Sequence, residues 1–263
     1  MSSPKQIAEI YVSAGNGKTR IKPGRMFVLA CFAGAFIALG GLASQVASCT
    51  IPNPSVAKII SGLVFPIGLM MVVCGGAELF TGNSLIIIPI IEKRGKVGPL
   101  LTNWGIVFLG NLVGSVAIAL MAVYGHTLSL YNGELAKMVV ATAVTKVHLS
   151  FLDAFIRGIL CNFMVCLAVW ISFGAGQDMA GKILGLALPV FLFVLCGFEH
   201  CVANMYFIPA GMFASLEYGI QAEGLNVLSF LYGNLLPVVL GNIIGGAVLV
   251  GLGYWYAYLK LEK

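Results

Sequence analysis

Two carboxylates stand where a carboxylate is costly. Glu78 lies in the apolar stretch Ile59–Ile91 and Glu199 in the apolar stretch Ile183–Ser215. An ionisable group at membrane depth must be paired or bonded. Two readings of the pair are open: ion or proton handling, or hydrogen bonding to their own broken backbone to pin a loop. Asn83 and Asn204 follow the two carboxylates by five residues and suit the pinning role. His200 directly follows Glu199 and is the histidine inside an apolar stretch; His126 and His148 lie between stretches. A histidine changes protonation near neutral pH and can relay a proton. With so few polar neighbours, that role suits His200 better than a structural one. Thr81 offers a hydroxyl either to a substrate or His200, or to the backbone. Lys146, two residues before His148, either draws anions by long-range attraction or is a solvated loop lysine. Asp153 and Arg157, four apart on one helical face, read as an ion pair with each other.

The chain that positions these groups is built for lipid. It has 263 residues, is 59% hydrophobic with a mean hydropathy of +0.98, and is 10% charged, against roughly 25% in a soluble domain. No Asp, Glu, Lys or Arg occurs between Arg25 and Lys58, Lys96 and Glu134, or Glu223 and Lys260. Each gap exceeds the ~20 apolar residues that cross a bilayer. A water-soluble enzyme is excluded, and no basic face interleaved with aromatics points to nucleic acid. Seven cysteines without a CxxC or a His/Cys ligand spacing imply no disulfide, metal or cofactor. No cleavable signal peptide is visible.

Six spans are expected: Met26–Val46, Ile59–Ile91, Leu101–Tyr124, Phe151–Phe173, Ile183–Ser215 and Leu228–Leu259. The second and fifth are too long for one straight crossing. Each carries glycines and a carboxylate near its middle, so each reads as a broken helix shielded from lipid. With the N-terminus in the cytoplasm, eleven Lys and Arg fall inside and three outside (Lys58, Lys137 and Lys146), so both termini are placed inside. Residues 1–25 form a cytoplasmic segment in which Ile7, Ile10, Tyr11 and Ala14 mark an amphipathic helix, read as a surface anchor. Residues 26–259 are one transmembrane domain and 260–263 a cytoplasmic tail. The chain also repeats itself. Residues 76–83 align with 197–204 at an offset of 121, and Gly110–Gly114 with Gly241–Gly245 at 131. Three spans per half is an odd number, so the halves are inverted, an arrangement that builds transport sites from paired broken helices.

The motifs GGAELFTGN (Gly75–Asn83), KVH (Lys146–His148), RGILCNFMVCLAVW (Arg157–Trp170), GFEHCVANM (Gly197–Met205) and GNIIGG (Gly241–Gly246) together resemble the formate/nitrite transporter family, in family order from about Lys22 to Tyr258. The resemblance implies an all-α, aquaporin-like membrane fold of six helices, helices two and five interrupted, assembled as a homopentamer in the cell membrane with one pore per protomer. It implies transport of a small weak-acid anion, formate first and nitrite or hydrosulfide as alternatives, with protons and membrane lipid as the other partners and no catalysis. It makes His200 the central pore histidine and Thr81 its partner, and Lys146 and Asn162 residues that bias the outer vestibule and pore. It places apolar constrictions at Leu79, Phe80, Phe65, Leu69, Val165 and Phe193. The expected mechanism neutralises the anion between two constrictions with a proton supplied or relayed by His200. An intramembrane protease is the remote alternative, because Gly82–Leu85 lacks the second glycine of GxSG.

Overall fold

A computed structural model describes residues 2–260, so the expected tail lies outside the described residues except for Lys260. The elements are helices: α1 Pro4–Thr19, α2 Pro23–Ser48, α3 Pro54–Cys74, α4 Gly82–Ile91, α5 Val97–Tyr124, α6 Glu134–Val147, α7 Phe151–Gly174, α8 Met179–Leu195, α9 Cys201–Glu217 and α10 Ser229–Tyr258. Five of them are long and apolar enough to cross a membrane. The sixth crossing is shared by α8 and α9, broken between Leu195 and Cys201. This is a multi-pass membrane protein of two inverted repeats, with α3/α4 and α8/α9 as the interrupted pairs.

The repeat begins earlier than the sequence motifs suggest. Helix α1 buries Ile7, Ala8, Tyr11, Val12 and Gly15. Helix α6 buries Leu135, Ala136, Val139, Val140 and Ala143. Every pair stands 128 apart. Each half therefore holds five helices, and α1 is the counterpart of α6. Ile10, expected on the buried stripe, is 42% exposed. The true stripe is Ile7-Ala8-Tyr11-Val12-Gly15, a narrower i, i+4 face. It is not a free surface anchor. Gly15 lies so close to Pro89 of α4 that a Cβ would sit 2.9 Å from its ring. Tyr11 packs at 4.9 Å on Phe173 of α7 and donates to the Gly82 carbonyl (3.2 Å). Burial holds the Tyr11 phenol well above its usual range, so it remains a donor.

Close helix crossings fix the frame around the breaks. A Cβ on Gly114 would collide with the Cys31 carbonyl, and one on Gly245 with the Ile159 carbonyl. These glycines bring α5 against α2 and α10 against α7, which carries Asn111 and Asn242 up to the two interruptions.

Candidate functional site

Both interruptions start alike. Helix α3 ends with Gly76 at φ +73° and α8 with Gly197 at φ +69°, backbone that glycine adopts without a Cβ penalty. The next amide reaches back five residues, Ala77 N–H to Val72 O (2.9 Å) and Phe198 N–H to Phe193 O (3.0 Å), the Schellman closure of a helix end. The chain then leans on the neighbouring helix. Glu78 N–H donates to Leu29 O (3.2 Å) and Glu199 N–H to Arg157 O (3.3 Å).

Two asparagines hold what remains of the open backbone. The Asn111 side chain accepts from Phe80 N–H (2.9 Å) and donates to Glu78 O (2.9 Å) and Ala30 O (2.8 Å). The Asn242 side chain accepts from Cys201 N–H (2.9 Å) and donates to Glu199 O (3.0 Å) and Gly158 O (2.8 Å). Buried peptide groups need such partners. The two carboxylates take side-chain donors instead. Glu78 receives Lys18 Nζ (2.6 Å) and Asn83 Nδ2 (2.7 Å), and Asn83 Nδ2 also donates to Asn103 Oδ1 (2.9 Å). Glu199 receives Lys146 Nζ (2.8 Å) and Asn204 Nδ2 (2.7 Å), and Asn204 Nδ2 also donates to Asn234 Oδ1 (2.7 Å). The expectation that Glu78 and Glu199 bond their own broken backbone is thus replaced by a division of labour. The asparagines of α5 and α10 hold the backbone, and the carboxylates tie in α1 and α6.

Lys18, Asn103 and Asn234 were not singled out from the sequence, and Asn111 and Asn242 only as members of the repeated motifs Gly110–Gly114 and Gly241–Gly245. The signal was present: the two pairs of asparagines repeat at 131 and Lys18/Lys146 at 128. Lys146 is no solvated loop residue. It lies in the last turn of α6, its side chain 13% exposed, with its ammonium 5.4 Å from the Phe207 ring centroid. Asp153 and Arg157 do not pair. Ser150 caps α7 by accepting from Asp153 N–H and donates to the Asp153 carboxylate (2.7 Å). A carboxylate held in that cap leaves Arg157 without it.

At the centre, Ala203 N–H donates to His200 Nδ1 (3.0 Å), making His200 the cap of α9. Nδ1 is therefore an acceptor, the neutral ring carries its proton on Nε2, and Nε2–H donates to Thr81 Oγ1 (2.9 Å). That bond joins the two interruptions and leaves the Thr81 hydroxyl proton free to donate. One cavity reaches His200 and another reaches Leu79 and Gly82, which flank the Thr81 turn; Thr81 itself lines neither. The first, of about 540 Å³ on the α6 side, reaches Phe65, Phe193 and His200. The second, of about 150 Å³ on the α1 side, reaches Leu69 and Leu79, with Tyr11 and Lys18 of α1 in its wall. Phe193 stacks on His200 at 5.9 Å and meets Phe65 edge-on at 5.6 Å.

The remaining expected site residues lie behind this line. Phe80 packs against Phe108 (5.3 Å) and Trp104 (6.1 Å). Val165 is buried in the central core. Asn162 is fully buried and donates to Thr81 O (3.2 Å), Ser84 Oγ (3.2 Å) and Asn242 O (2.7 Å), so it tethers the Thr81 loop. None of the three lines either cavity. No group of three or more His, Cys, Asp or Glu residues suited to a metal is present among the described residues.

Inverted repeats, paired helix breaks meeting at one polar contact and a cavity on each side define a membrane transport scaffold. The profile of the formate/nitrite transporter family matches residues 5–256, and the chain belongs to that family. It is 42% identical to the uncharacterised transporter YrhG of Bacillus subtilis, over 99% of this chain and 95% of that one. It is 40% identical to the formate channel FocA of Escherichia coli K12, over 98% and 94%. A solved pentameric formate channel with formate bound superposes at a TM-score of 0.81 with 36% identity, covering 90% of this chain and 98% of that one.

Proposed function

We propose that the protein is a pentameric channel that passes small monovalent weak-acid anions, formate first, across the cell membrane in neutral form. Both termini lie in the cytoplasm, α1 faces it, and the larger cavity opens outside. The chain is not an enzyme. The observation that carries this reading is the Thr81–His200 bond, which joins the two interruptions, with His200 in the wall of the larger cavity and Leu79 in that of the smaller. Relatives named as formate channels supply the choice of cargo.

An anion crossing the apolar zone must lose either its water or its charge. Desolvating a carboxylate costs several kcal/mol even after relaxation. Protonating one of pKa ~4 at pH 7 costs about three units, roughly 4 kcal/mol, so neutralisation is the easier path. Leu79 and Leu69 on one side and Phe65 and Phe193 on the other form the narrows. The Thr81 hydroxyl donates to the cargo between them. His200 keeps that hydroxyl oriented. A proton relay through His200 would require Nδ1 to take a proton and the Ala203 N–H to lose its acceptor. That places a cation at a helix N-terminus, where the dipole opposes it. The proton therefore comes from water in the cavities, and the neutral ring is a hydrogen-bond donor.

The test is formate uptake with membrane current in proteoliposomes from pH 5 to 8, for the wild type and His200→Asn. Uptake should be electroneutral and quicken as pH falls in both proteins. Loss of the pH dependence in the variant would put the proton on His200. Formate current without proton movement would reject neutral passage.

A further inference from the structure

The two cavities share one charge pair through the repeat and differ in every other charge. On the α1 side, Lys18 and Glu78 are the charged residues of the wall, and they pair at 2.6 Å. On the α6 side the wall carries Lys58, Lys146, Arg157 and Glu199. Lys146 is held by Glu199 at 2.8 Å. Lys58 and Arg157 have no carboxylate partner among the described residues. The side-chain ion pairs there are Lys18–Glu78, Lys137–Glu134 and Lys146–Glu199, and Asp153 is bonded to Ser150. The Lys58 ammonium reaches to 4.0 Å from where a Cβ would stand on Gly197, beside the interruption. The Arg157 carbonyl receives the Glu199 N–H (3.3 Å), so the base of its side chain adjoins the same break.

The fold does not require these two cations. At the repeat offsets their counterparts are Met179 for Lys58 and Leu29 for Arg157. The wall charge is thus plus two on the α6 side and zero on the α1 side, and the excess sits on residues that depart from the repeat. A charged wall in a cleft raises the local concentration of the opposite ion.

We propose that Lys58 and Arg157 form an anion-collecting station at the α6-side mouth, which concentrates a small monovalent carboxylate or oxyanion in front of Phe65, Phe193 and His200. This rests on the anion-channel reading and adds to it the residues that supply free positive charge, a part Lys146 cannot fill while Glu199 balances it. Two charges roughly 7 Å from the anion in a water-like medium raise its local concentration roughly five- to tenfold at low salt. The gain applies to passage in both directions, because a passive path has equal unsaturated permeability either way. Its sidedness shows in screening instead.

The experiment compares the wild type, Lys58→Gln/Arg157→Gln and the charge-keeping Lys58→Arg/Arg157→Lys in oriented vesicles. Flux of formate, nitrite and hydrosulfide is measured with ionic strength raised on one side at a time. Wild-type flux should fall with salt on the α6 side and ignore salt on the α1 side. The Gln pair should carry roughly five- to tenfold less at low salt and show no salt response, while the charge-keeping pair follows the wild type. An assembled Gln pair with wild-type flux and salt response overturns the proposal. If the wild type passes none of the three anions, the channel reading fails by itself, and line broadening of carbon-13 formate by the solubilised protein then decides the station. Broadening by the wild type that is lost in the Gln pair supports it. Equal broadening in both, or none by the wild type, overturns it.

Discussion

The interruption after α3 and the one after α8 begin with the same backbone and end differently. Both close on a glycine, lean on the neighbouring helix and hang from an asparagine. At the next position one has Leu79 and the other His200. His200 accepts the Ala203 N–H, and α9 restarts at Cys201 as regular α-helix. Leu79 has no acceptor to offer. Helix α4 restarts only at Gly82, as a 3₁₀ turn through Ile86 before it becomes α-helical. Orphan amides at a helix start need a cap, and one side chain decides whether they have it. The same side chain sets the chemistry. The capped break gives its ring N–H to Thr81 Oγ1 across the repeat, and the uncapped one offers a leucine and that hydroxyl in return. The two halves share a scaffold, and the candidate site lies where they diverge.

The scaffold is most easily broken at its asparagines. Asn242→Ala leaves Cys201 N–H and Glu199 O without a partner and takes the second donor from Gly158 O, a carbonyl inside α7. At about 1–3 kcal/mol for each unsatisfied buried group, the loss is on the order of 5 kcal/mol. Asn111→Ala should match it, since the repeat gives it the same three bonds. Thermal unfolding in detergent checks this; clearly unequal losses would mean that the two breaks are not equivalent supports.

The Lys–Glu pairs should separate the halves. Lys146→Gln strands Glu199 in a buried setting, where breaking a pair costs about 3–5 kcal/mol. Lys18 is more exposed, 23% against 13% for the side chains, so solvent screening should reduce the cost of Lys18→Gln to about half of that. The same melting series reads the difference, and a larger loss at Lys18 would reverse the ranking. A smaller effect is expected from His200→Leu, which makes the second break resemble the first. The lost cap is worth about 1 kcal/mol, and backbone exchange at Cys201–Ala203 should rise, while His200→Asn, with a good capping side chain, should stay near the wild type.

The change that leaves every hydrogen bond in place is Leu79→Ala at the uncapped break. It touches none of the bonds that hold the interruption. Its effect should appear in selectivity, as faster flux and admission of acetate or lactate in the proposed channel. Uptake assays with those acids check it, and unchanged selectivity in an assembled protein would place the narrow point elsewhere.

Hydropathy and charge gaps determined the membrane crossings, because lipid tolerates few alternatives to an apolar helix. Glycines and a carboxylate within over-long apolar stretches marked both breaks, and the 121-residue offset exposed the repeat. His200 stood out as the histidine inside an apolar stretch. The rest depended on which residues meet across the fold, from Asn111 and Phe80, 31 positions apart, to Thr81 and His200, 119 apart. Helix α1 matches α6 in packing and only in part in residue type. Ala8, Val12 and Lys18 recur as Ala136, Val140 and Lys146, but Ile7 stands for Leu135, Tyr11 for Val139 and Gly15 for Ala143, so the shared buried face is what makes the kinship plain. Asn111 and Asn242 were visible as motifs, yet their work is to satisfy backbone groups opened elsewhere in the chain. The pairing of Lys146 with Glu199, and of Asp153 with Ser150 in place of Arg157, turned on distances of a few ångströms. Spacing along one helix fixes which side chains share a face. Which charge finds a partner, and which stands free in a cavity, is settled only when the helices pack.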